Sequence, residues 1–337
     1  MRPKNNTDIE VSIIIPCYNE GKTIQLLLRA LLEQTYPSTH MEIVIADAIS
    51  ADDTSAKIVQ FSKEHPELRI VVVDNPRKTI PAAVNTAAQA ARGIYLVRMD
   101  AHSVPDKDYV ATSIQLLKDG VAENVGGVWE IAPGEDSCIA KAIAAAASHP
   151  LGAGDALYRI AGKAAYVETV PFGAFTKDTF EKVGRFDESL LSNEDYEFNT
   201  RIHLNGGKVW LDPRIRSRYF ARKNLGQLAR QYWRYGFWKL KMLKRYPKTI
   251  RWRQAIPPLF VLTVLLLTIL SVFFNFARII LACILGLYLA ILMVFSLREA
   301  LKRKDLCYLE MVLAITVMHF SWGMGFLYSA VDLSREA

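Results

Sequence analysis

Two apolar tracts near the end of the sequence limit what this chain can fold into more than any other feature. Residues 254–297 contain a single charged residue, Arg278, and residues 311–331 contain none. A helix needs roughly 20 apolar residues to cross the hydrocarbon core of a bilayer, and few soluble proteins bury helices so poor in polar side chains. The sequence therefore predicts a C-terminal membrane domain over 254–337 with about three transmembrane helices, at 256–276, 279–298 and 309–331.

The third tract is less uniform than the others. It contains Thr316, His319, Ser321 and two glycines, which also suit a helix packed inside a bundle or a re-entrant segment. Three crossings would leave the C-terminus outside the membrane, whereas a re-entrant third segment would leave it inside. The sequence is compatible with both topologies.

The formal net charge of +7 comes from one stretch of the chain. Residues 213–253 contain 14 basic side chains and no acidic one, so the remainder is mildly acidic. Basic residues lie just before the first span and just after the second, which places both positions on the cytoplasmic side. Residues 1–10 are polar and lack the apolar core of a signal peptide. We therefore expect a multi-pass protein of the inner (cytoplasmic) membrane, with everything before the first span in the cytoplasm.

Residues 221–253 alternate basic and aromatic side chains. This composition predicts interfacial amphipathic helices that bind anionic membrane lipids. A nucleic-acid surface could look similar, but a stretch directly before a membrane span disfavours it, and we expect no nucleic-acid partner. The four cysteines are far apart and form no CxxC pair, so neither a disulfide framework nor a zinc site is expected.

Residues 11–220 alternate between apolar runs and helical patterns. Runs at 11–16, 41–47, 69–74 and 93–100 predict strands, and stretches of helical periodicity separate them. This alternation predicts an α/β domain over 1–220, with a mostly parallel sheet and helices on both faces. Ligands of such sheets bind beyond the carboxyl ends of the strands.

Polar and charged side chains follow three of these predicted strands. Glu20 follows the first strand, Asp47 ends the second, and Asp100 and His102 follow the fourth. Each one alone could be a turn or helix-capping residue. Asp100 and His102 are one residue apart on an extended segment, so both could bind one divalent cation, Mn²⁺ or Mg²⁺. No GxGxxG or GxxxxGK[ST] motif is present, so a bound nucleotide would need another way to neutralise its phosphates.

The order and spacing of these motifs resemble the family 2 inverting glycosyltransferases, which have the GT-A fold with a Rossmann-like sheet. Residues 16–20 are similar to the family's first nucleotide-binding strand end, residues 47–54 to its DDGSxDxT element, and residues 100–102 to its DxD motif, with His102 in place of the last Asp. Residues 98–103 are most similar to membrane-bound glucosyltransferases of succinoglycan-type exopolysaccharide synthesis. The resemblance implies that the nucleotide sugar is bound by Pro16, Tyr18, Glu20, Asp47, Lys78 and Asp100, and the metal by Asp100 and His102.

Three later segments extend the resemblance. The position of Asp195 matches the family's catalytic base, and Phe172, Gly173 and Glu194 lie in segments that shape the acceptor pocket in the family. Residues 231–235 resemble the QxxRW motif, with Tyr235 in place of the final Trp. The resemblance implies that Gln231, Arg234 and Tyr235 contact the donor diphosphate.

The resemblance implies transfer of one sugar from a nucleotide sugar, UDP-glucose or a similar donor, to a saccharide carried on a polyprenyl diphosphate lipid. One carboxylate base suffices for such a single displacement, whereas a retaining glycosidase needs two carboxylates. Two other enzymes remain open: a processive polysaccharide synthase and a transferase acting on polyprenyl phosphate itself. A further alternative is a non-catalytic membrane scaffold that binds nucleotide or lipid through a degenerate GT-A site.

Overall fold

The computed structural model describes residues 9–160 and 162–336, so most of the polar segment 1–10, on which the signal-peptide prediction rests, lies outside it. The described residues form two compact units. The first is drawn from Met1–Glu130 and Ala161–Tyr219, and the second from Ile131–Ile160 and Phe220–Ala337. Each unit is described separately below.

The first unit is built around a mixed β-sheet. Its strands in the described residues are β1 Val11–Cys17, β2 Met41–Asp47, β3 Arg69–Asp74, β4 Tyr95–Arg98, β5 Ser103–Pro105, β6 Asn124–Ala132, β7 Ala165–Tyr166, β8 Ala174–Thr176 and β9 Val209–Phe220. They lie in the order β3-β2-β1-β4-β8-β6-β9-β5, with β7 also paired to β9.

The two halves of this sheet differ in strand direction. β1 pairs in parallel with β2 and β4, and β2 pairs in parallel with β3, whereas β8 is antiparallel to both β4 and β6. Every residue of β2 is buried, as expected of a parallel strand covered on both faces. The predicted α/β fold is thus confirmed, but the sheet is mixed rather than mostly parallel, because β8 runs antiparallel to β4 and β6.

Helices make up most of the rest of the described chain. They are α1 Ile24–Leu32, α2 Thr54–Glu64, α3 Ile80–Ala90, α4 Tyr109–Lys118, α5 Cys138–Ala147, α6 Pro150–Ala153, α7 Lys177–Val183, α8 Glu194–Leu204, α9 Leu225–Arg245, α10 Trp252–Leu270, α11 Asn275–Arg303 and α12 Met311–Glu336. In the first unit, Leu27, Leu28 and Leu31 form one face of α1 and are fully buried in the core beside β1 and β2.

The second unit consists mainly of helices. Three stretches are long and apolar enough to cross a membrane: Trp252–Leu270, Asn275–Arg303 and Leu306–Asp332. The Ala-rich helix α5 packs its buried face in a cluster with residues of α9 and α12.

A disulfide joins Cys138 at the start of α5 to Cys307, just before α12. The expectation of no disulfide was therefore wrong. The two cysteines are 169 residues apart in sequence, so their spacing carried no sign that folding brings them together.

Candidate active site

The ends of β1 and β2 form one hydrogen-bonded junction at the carboxyl edge of the sheet. Cys17 lies opposite Asp47 in the parallel register, so the loops after both strands begin side by side. The backbone N–H of Asn19 donates to Ser50 Oγ (2.8 Å), and the backbone N–H of Ala51 donates to Asn19 Oδ1 (2.8 Å). Asn19 has a left-handed backbone (φ 54°), which Asn tolerates better than most residues. These bonds fix the two loops relative to each other.

Hydrogen bonds also position the acidic side chains of this junction. The carboxylate of Asp47 is buried and accepts bonds from the hydroxyls of Ser50 (2.6 Å) and Ser55 (3.2 Å). The hydroxyl of Thr54 donates to Asp52 and holds the pKa of that carboxyl below its usual range. The hydroxyl oxygen of Thr54, the first residue of α2, also accepts the backbone N–H of Glu20 (2.8 Å).

Three carboxylates meet around Arg98, the last residue of β4. Nη2 of Arg98 lies 3.0 Å from Glu194 Oε1 and 3.4 Å from Asp100 Oδ1, and Nη1 contacts Asp195 Oδ1. Arg98 is only 2% exposed, whereas the side chains of Asp100 and Asp195 are each 23% exposed. The cation is thus buried behind two carboxylates that solvent can reach.

His102, which follows β4, is held by the carboxylate of Glu20, which follows the neighbouring parallel strand β1. Its Nδ1 lies 2.9 Å from Glu20 Oε1. Histidines that bind metals commonly have the other ring nitrogen bonded to a carboxylate, which fixes the ring and its tautomer. The described residues contain no group of three or more His, Cys, Asp or Glu arranged around one metal position. Asp100 and His102 still fit a cation of the Mg²⁺ or Mn²⁺ type, because such ions commonly bind one or two protein side chains together with water and phosphate oxygens.

A strained turn brings the predicted acceptor segment to Asp195. Phe172 and Gly173 both have left-handed backbones (φ 64° and 86°), and the backbone N–H of Phe172 donates to Asp195 Oδ2 (3.4 Å). The carbonyl of Gly173 accepts the backbone N–H of Arg98 (2.9 Å), which continues the pairing of β4 with β8. The turn therefore links β4 directly to the proposed base.

Aromatic rings line the same region. Trp129 stacks on Tyr219 with ring centroids 4.4 Å apart and also packs against Phe172 at 5.6 Å. The Tyr219 ring lies 6.5 Å from the ring of His102.

The first turn of α8 carries both Glu194 and Asp195. Glu197 also lies in this first turn, and its buried carboxylate pairs with Arg201 (2.7 Å). Arg201 in turn donates to the carbonyl of Val183 (2.8 Å). This pair anchors α8 to the segment that follows α7.

The remaining predicted site residues lie in three places. Lys78 extends toward the exposed ring of Tyr18, with Nζ 6.0 Å from the ring centroid, and Pro16 lies within β1 just before the junction. Gln231, Arg234 and Tyr235 occupy adjoining turns of α9 in the second unit, where Gln231 Nε2 donates to Tyr235 Oη (3.0 Å).

Sequence reasoning missed two parts of this region. The sequence prediction used Arg98 only within the motif at residues 98–103. A basic residue inside an apolar strand is nevertheless a sign that it has buried acidic partners. Trp129 and Tyr219 gave no signal, because they lie 90 residues apart and only the folded sheet brings them together.

The fold and the acidic strand ends define a GT-A glycosyltransferase. Residues 12–184 match the profile of glycosyl transferase family 2. The chain is 27% identical over 323 residues to a dolichyl N-acetyl-α-D-glucosaminyl phosphate 3-β-D-2,3-diacetamido-2,3-dideoxy-β-D-glucuronosyltransferase of Methanococcus voltae, covering 94% of this chain and 95% of that protein. It is 28% identical over 327 residues to the succinoglycan biosynthesis protein ExoA of Rhizobium meliloti, covering 96% of each.

A solved structure shares the fold. The mannosyltransferase PcManGT of Pyrobaculum calidifontis, solved with GDP-Man and Mn²⁺, superposes with a TM-score of 0.65 at 20% identity, covering 92% of this chain and 86% of that one. The chain belongs to glycosyl transferase family 2, and it is a glycosyltransferase with three apolar helices long enough to cross a membrane.

Proposed function

We propose that this protein transfers one sugar from a UDP-sugar, with glucose as the first candidate, to a saccharide carried on a polyprenyl diphosphate lipid at the cytoplasmic face of the membrane. The observation that carries the proposal is the position of Asp195. This partly exposed carboxylate lies at the first turn of α8, beside the Phe172 turn and joined through Arg98 to Asp100. Asp195, the proposed base, is thereby held close to Asp100, the side chain assigned to the donor.

Asp195 would accept the proton of the acceptor hydroxyl as its oxygen attacks the anomeric carbon. The nucleoside diphosphate leaves from the opposite face, so an α-linked donor gives a β-linked product. A divalent cation held by Asp100 and His102 would counter the charge of the leaving diphosphate. Tyr18 and Lys78 lie on the nucleotide side of this arrangement, and Lys78 adds a positive charge for the phosphates.

The acceptor and the membrane placement rest on the second unit and on relatives. The Methanococcus voltae relative is named for a dolichyl phosphate-linked sugar, and an Escherichia coli relative, 30% identical over 125 residues, is named for a diphosphoundecaprenol-linked one. The basic residues of α9 would draw the anionic head of such a lipid toward the membrane surface. The proposal places Arg234 at the donor diphosphate through its fixed guanidinium fork.

The experiment is a UDP-release assay on full-length protein in membranes, with a panel of nucleotide sugars and membrane-extracted lipid-linked acceptors. Asp195→Asn should lower transfer by about 10²–10⁴-fold, the usual contribution of a general base, while UDP affinity stays within about twofold. Asp178→Asn, an exposed change on α7, is the matched control and should transfer normally. Equal transfer by Asp195→Asn would refute the role of the base.

Two further readouts separate the alternatives. The product on a labelled lipid acceptor should grow by one sugar, whereas a ladder of longer products would identify a processive synthase. Transfer to a soluble oligosaccharide as fast as to the lipid-linked one would remove the lipid from the proposal.

A metal titration tests the cation site without relying on turnover. His102→Ala should weaken Mn²⁺ binding in the presence of UDP, measured by the free Mn²⁺ signal in electron paramagnetic resonance. His65→Ala, which removes a partly exposed histidine beside Glu67, serves as the control. A titration identical to that of wild type would exclude His102 from the site.

A further inference from the structure

Arg98 is the one buried cation shared by the donor and acceptor sides of the site in the described structure. Its guanidinium contacts Asp100, assigned to the metal, and Asp195, assigned as base, and its third partner is Glu194. Burying a charge costs several kcal/mol unless it is paired, so these contacts account for the presence of an arginine at a 2% exposed position.

Two routes from Arg98 converge on the carboxylate of Asp195. One is the direct contact of Nη1 with Oδ1. The other runs through the backbone: Arg98 N–H donates to Gly173 (2.9 Å), and the neighbouring Phe172 N–H donates to Oδ2 of the same carboxylate. The side chain of Arg98 therefore orients Oδ1 of Asp195, whereas the bond to Oδ2 comes from the backbone and stays in place when Arg98 is substituted.

The guanidinium itself is held rigidly. The ring of Phe186 lies under it, with Cζ 5.6 Å from the ring centroid, and this ring stacks on Phe198 of α8 at 4.6 Å. A planar fork with fixed donors can hold two carboxylates at set angles, which the single ammonium of lysine cannot.

We propose that Arg98 is a positioning residue that fixes the carboxylate of Asp195 relative to Asp100, so that the base is aligned with the donor before the acceptor arrives. This rests on the proposed function of Asp195 and Asp100. Alignment of a base affects the chemical step, because misplacement by even one ångström costs rate more than binding. Replacement of the guanidinium fork at constant charge should therefore lower kcat and leave UDP affinity nearly unchanged.

The first test is Arg98→Lys, with Arg69→Lys as the matched control, because the partly exposed Arg69 pairs with the buried Glu42 of β2. Arg98→Lys should lower kcat at least 30-fold, with UDP affinity within threefold. Arg69→Lys should retain wild-type kcat. A kcat for Arg98→Lys within threefold of wild type, or a parallel loss of UDP affinity, would overturn the proposal.

A charge-matched pair covers the case in which Arg98→Lys fails to fold. Arg98→Gln combined with Glu194→Gln keeps the formal charge of the cluster at its wild-type value, because one cation and one anion are removed together. Its kcat should be at least 30-fold below that of Glu194→Gln alone, and an equal kcat would overturn the proposal. UDP release by the wild-type protein separates failure of the proposed function from failure of the role of Arg98. If the wild type releases no UDP, the proposed function is wrong. If it does, an unaffected kcat in the variants contradicts only the role of Arg98.

A separate observation concerns the depth of α12 in the membrane. Within the second unit, α12 runs beside α9 and in the same direction. Gly236 and Gly325 allow close approach, since a Cβ on either would overlap the backbone of the other helix at Trp322 or Trp233. Further along, Lys241 of α9 pairs with Asp332 of α12 at 3.3 Å.

α9 is too strongly charged to cross a bilayer. It contains six cations: Arg230, Arg234, Lys239, Lys241, Lys244 and Arg245. A cation costs about 2.5–3.5 kcal/mol at the centre of a membrane even on insertion scales, so six cations within one helix strongly disfavour a crossing. A helix packed along α9 over most of its length must therefore share the depth of α9.

Two more features agree with a shallow position for α12. About 33% of its most apolar stretch is buried by protein, against 11% for each of α10 and α11. A Cβ on Gly323, in the middle of α12, would lie 2.7 Å from the carbonyl of Pro257, only one and a half turns into α10. The centre of α12 thus lies near the end at which α10 begins.

We infer that α12 lies in the membrane interface beside α9 and that only α10 and α11 cross the bilayer. The end of α12 is then on the side from which α10 starts, which is the cytoplasmic side by the positive-inside rule. The protein surface that faces lipid headgroups therefore includes two helices, one basic and one apolar.

Reporter fusions at the C-terminus of the full chain test this topology in bacterial cells. A green fluorescent protein fused after residue 337 should be fluorescent, and alkaline phosphatase at the same place should be inactive. Val272→Cys, in the turn between α10 and α11, should react with a membrane-impermeant maleimide in intact cells when Cys283 is replaced by serine. Active phosphatase at the C-terminus would show that α12 crosses and would overturn the inference.

Discussion

Gly173 joins the strained turn of the acceptor segment to the sheet, and its replacement by alanine should be costly. Its backbone is left-handed (φ 86°), and a Cβ there would overlap Oδ1 of Asn124 and lie 2.8 Å from its Nδ2. Asn124 is fully buried and donates to Asn199 Oδ1 (2.6 Å). The Cβ therefore has no space to occupy unless this buried amide pair moves.

Three costs add up at this position. The left-handed conformation costs alanine about 1 kcal/mol, overpacking of a full core costs about 1–3 kcal/mol, and a buried amide that loses its partner costs about 1–3 kcal/mol. Gly173→Ala should therefore destabilise the protein by about 3–7 kcal/mol. For a unit of this size, 1 kcal/mol lowers Tm by about 2–4 °C, so a decrease of roughly 10–20 °C is expected.

Gly206→Ala provides the matched control, because Gly206 has a similar backbone (φ 80°) and open space where the Cβ would be. It should show the conformational cost alone, a decrease of about 2–4 °C. The assay is tryptophan-fluorescence melting of detergent-solubilised full-length variants at one scan rate, with kcat measured alongside. If Gly173→Ala melts no lower than Gly206→Ala, the close packing at Asn124 is not a constraint and the reasoning fails.

Further predictions concern charge and the disulfide. The hydrogen bond from Arg214 holds the pKa of the buried Asp212 below its usual range, so its contribution to stability is complete above about pH 4, near the unfolded pKa, and is lost as pH falls through the folded value. Asp212→Asn should therefore lower Tm at pH 7, and its difference from wild type should shrink in acid melts. Reduction of the Cys138–Cys307 bond should lower Tm and expose two more thiols to alkylation, because a closed loop this long stabilises by about 2–5 kcal/mol; an unchanged thiol count would contradict the bond. Asp100→Asn should raise UDP affinity in the presence of a chelator and lower it with Mn²⁺ present, measured by calorimetry, and a shift of the same sign in both would contradict its assignment to the metal.

The parallel half of the sheet could be predicted from the sequence because its signals are local. The run at 41–47 is apolar except for Glu42 and the final Asp47, and the structure gives β2 the same bounds. The antiparallel strands β5, β7 and β8 are only two or three residues long, so they carry no periodicity of their own. Their pairing with β4 and β9 is decided by tertiary contacts.

The candidate site likewise has residues that short sequence patterns predict and contacts that only the folded structure shows. Motif positions such as Asp100 and Asp195 could be chosen from short patterns, and the contacts of Arg98 bring these two near each other. The hydrogen bonds of Glu20 to His102 and of Phe172 to Asp195 join residues 82 and 23 positions apart, so spacing could not predict them. The same limit hid the disulfide between Cys138 and Cys307.

Under the proposed function, the charge of the site makes donor binding depend on a cation. Glu194, Asp195 and Asp100 surround the single guanidinium of Arg98, so the cluster has two formal negative charges beside the proposed diphosphate position. Two like charges 6 Å apart repel by about 3 kcal/mol at the effective dielectric of a protein surface, so the pyrophosphate and this cluster oppose each other strongly. Lys78 offsets only part of that repulsion because it lies on the Tyr18 side. The acidic strand ends that make a base and a metal ligand available therefore also make donor binding depend on added positive charge.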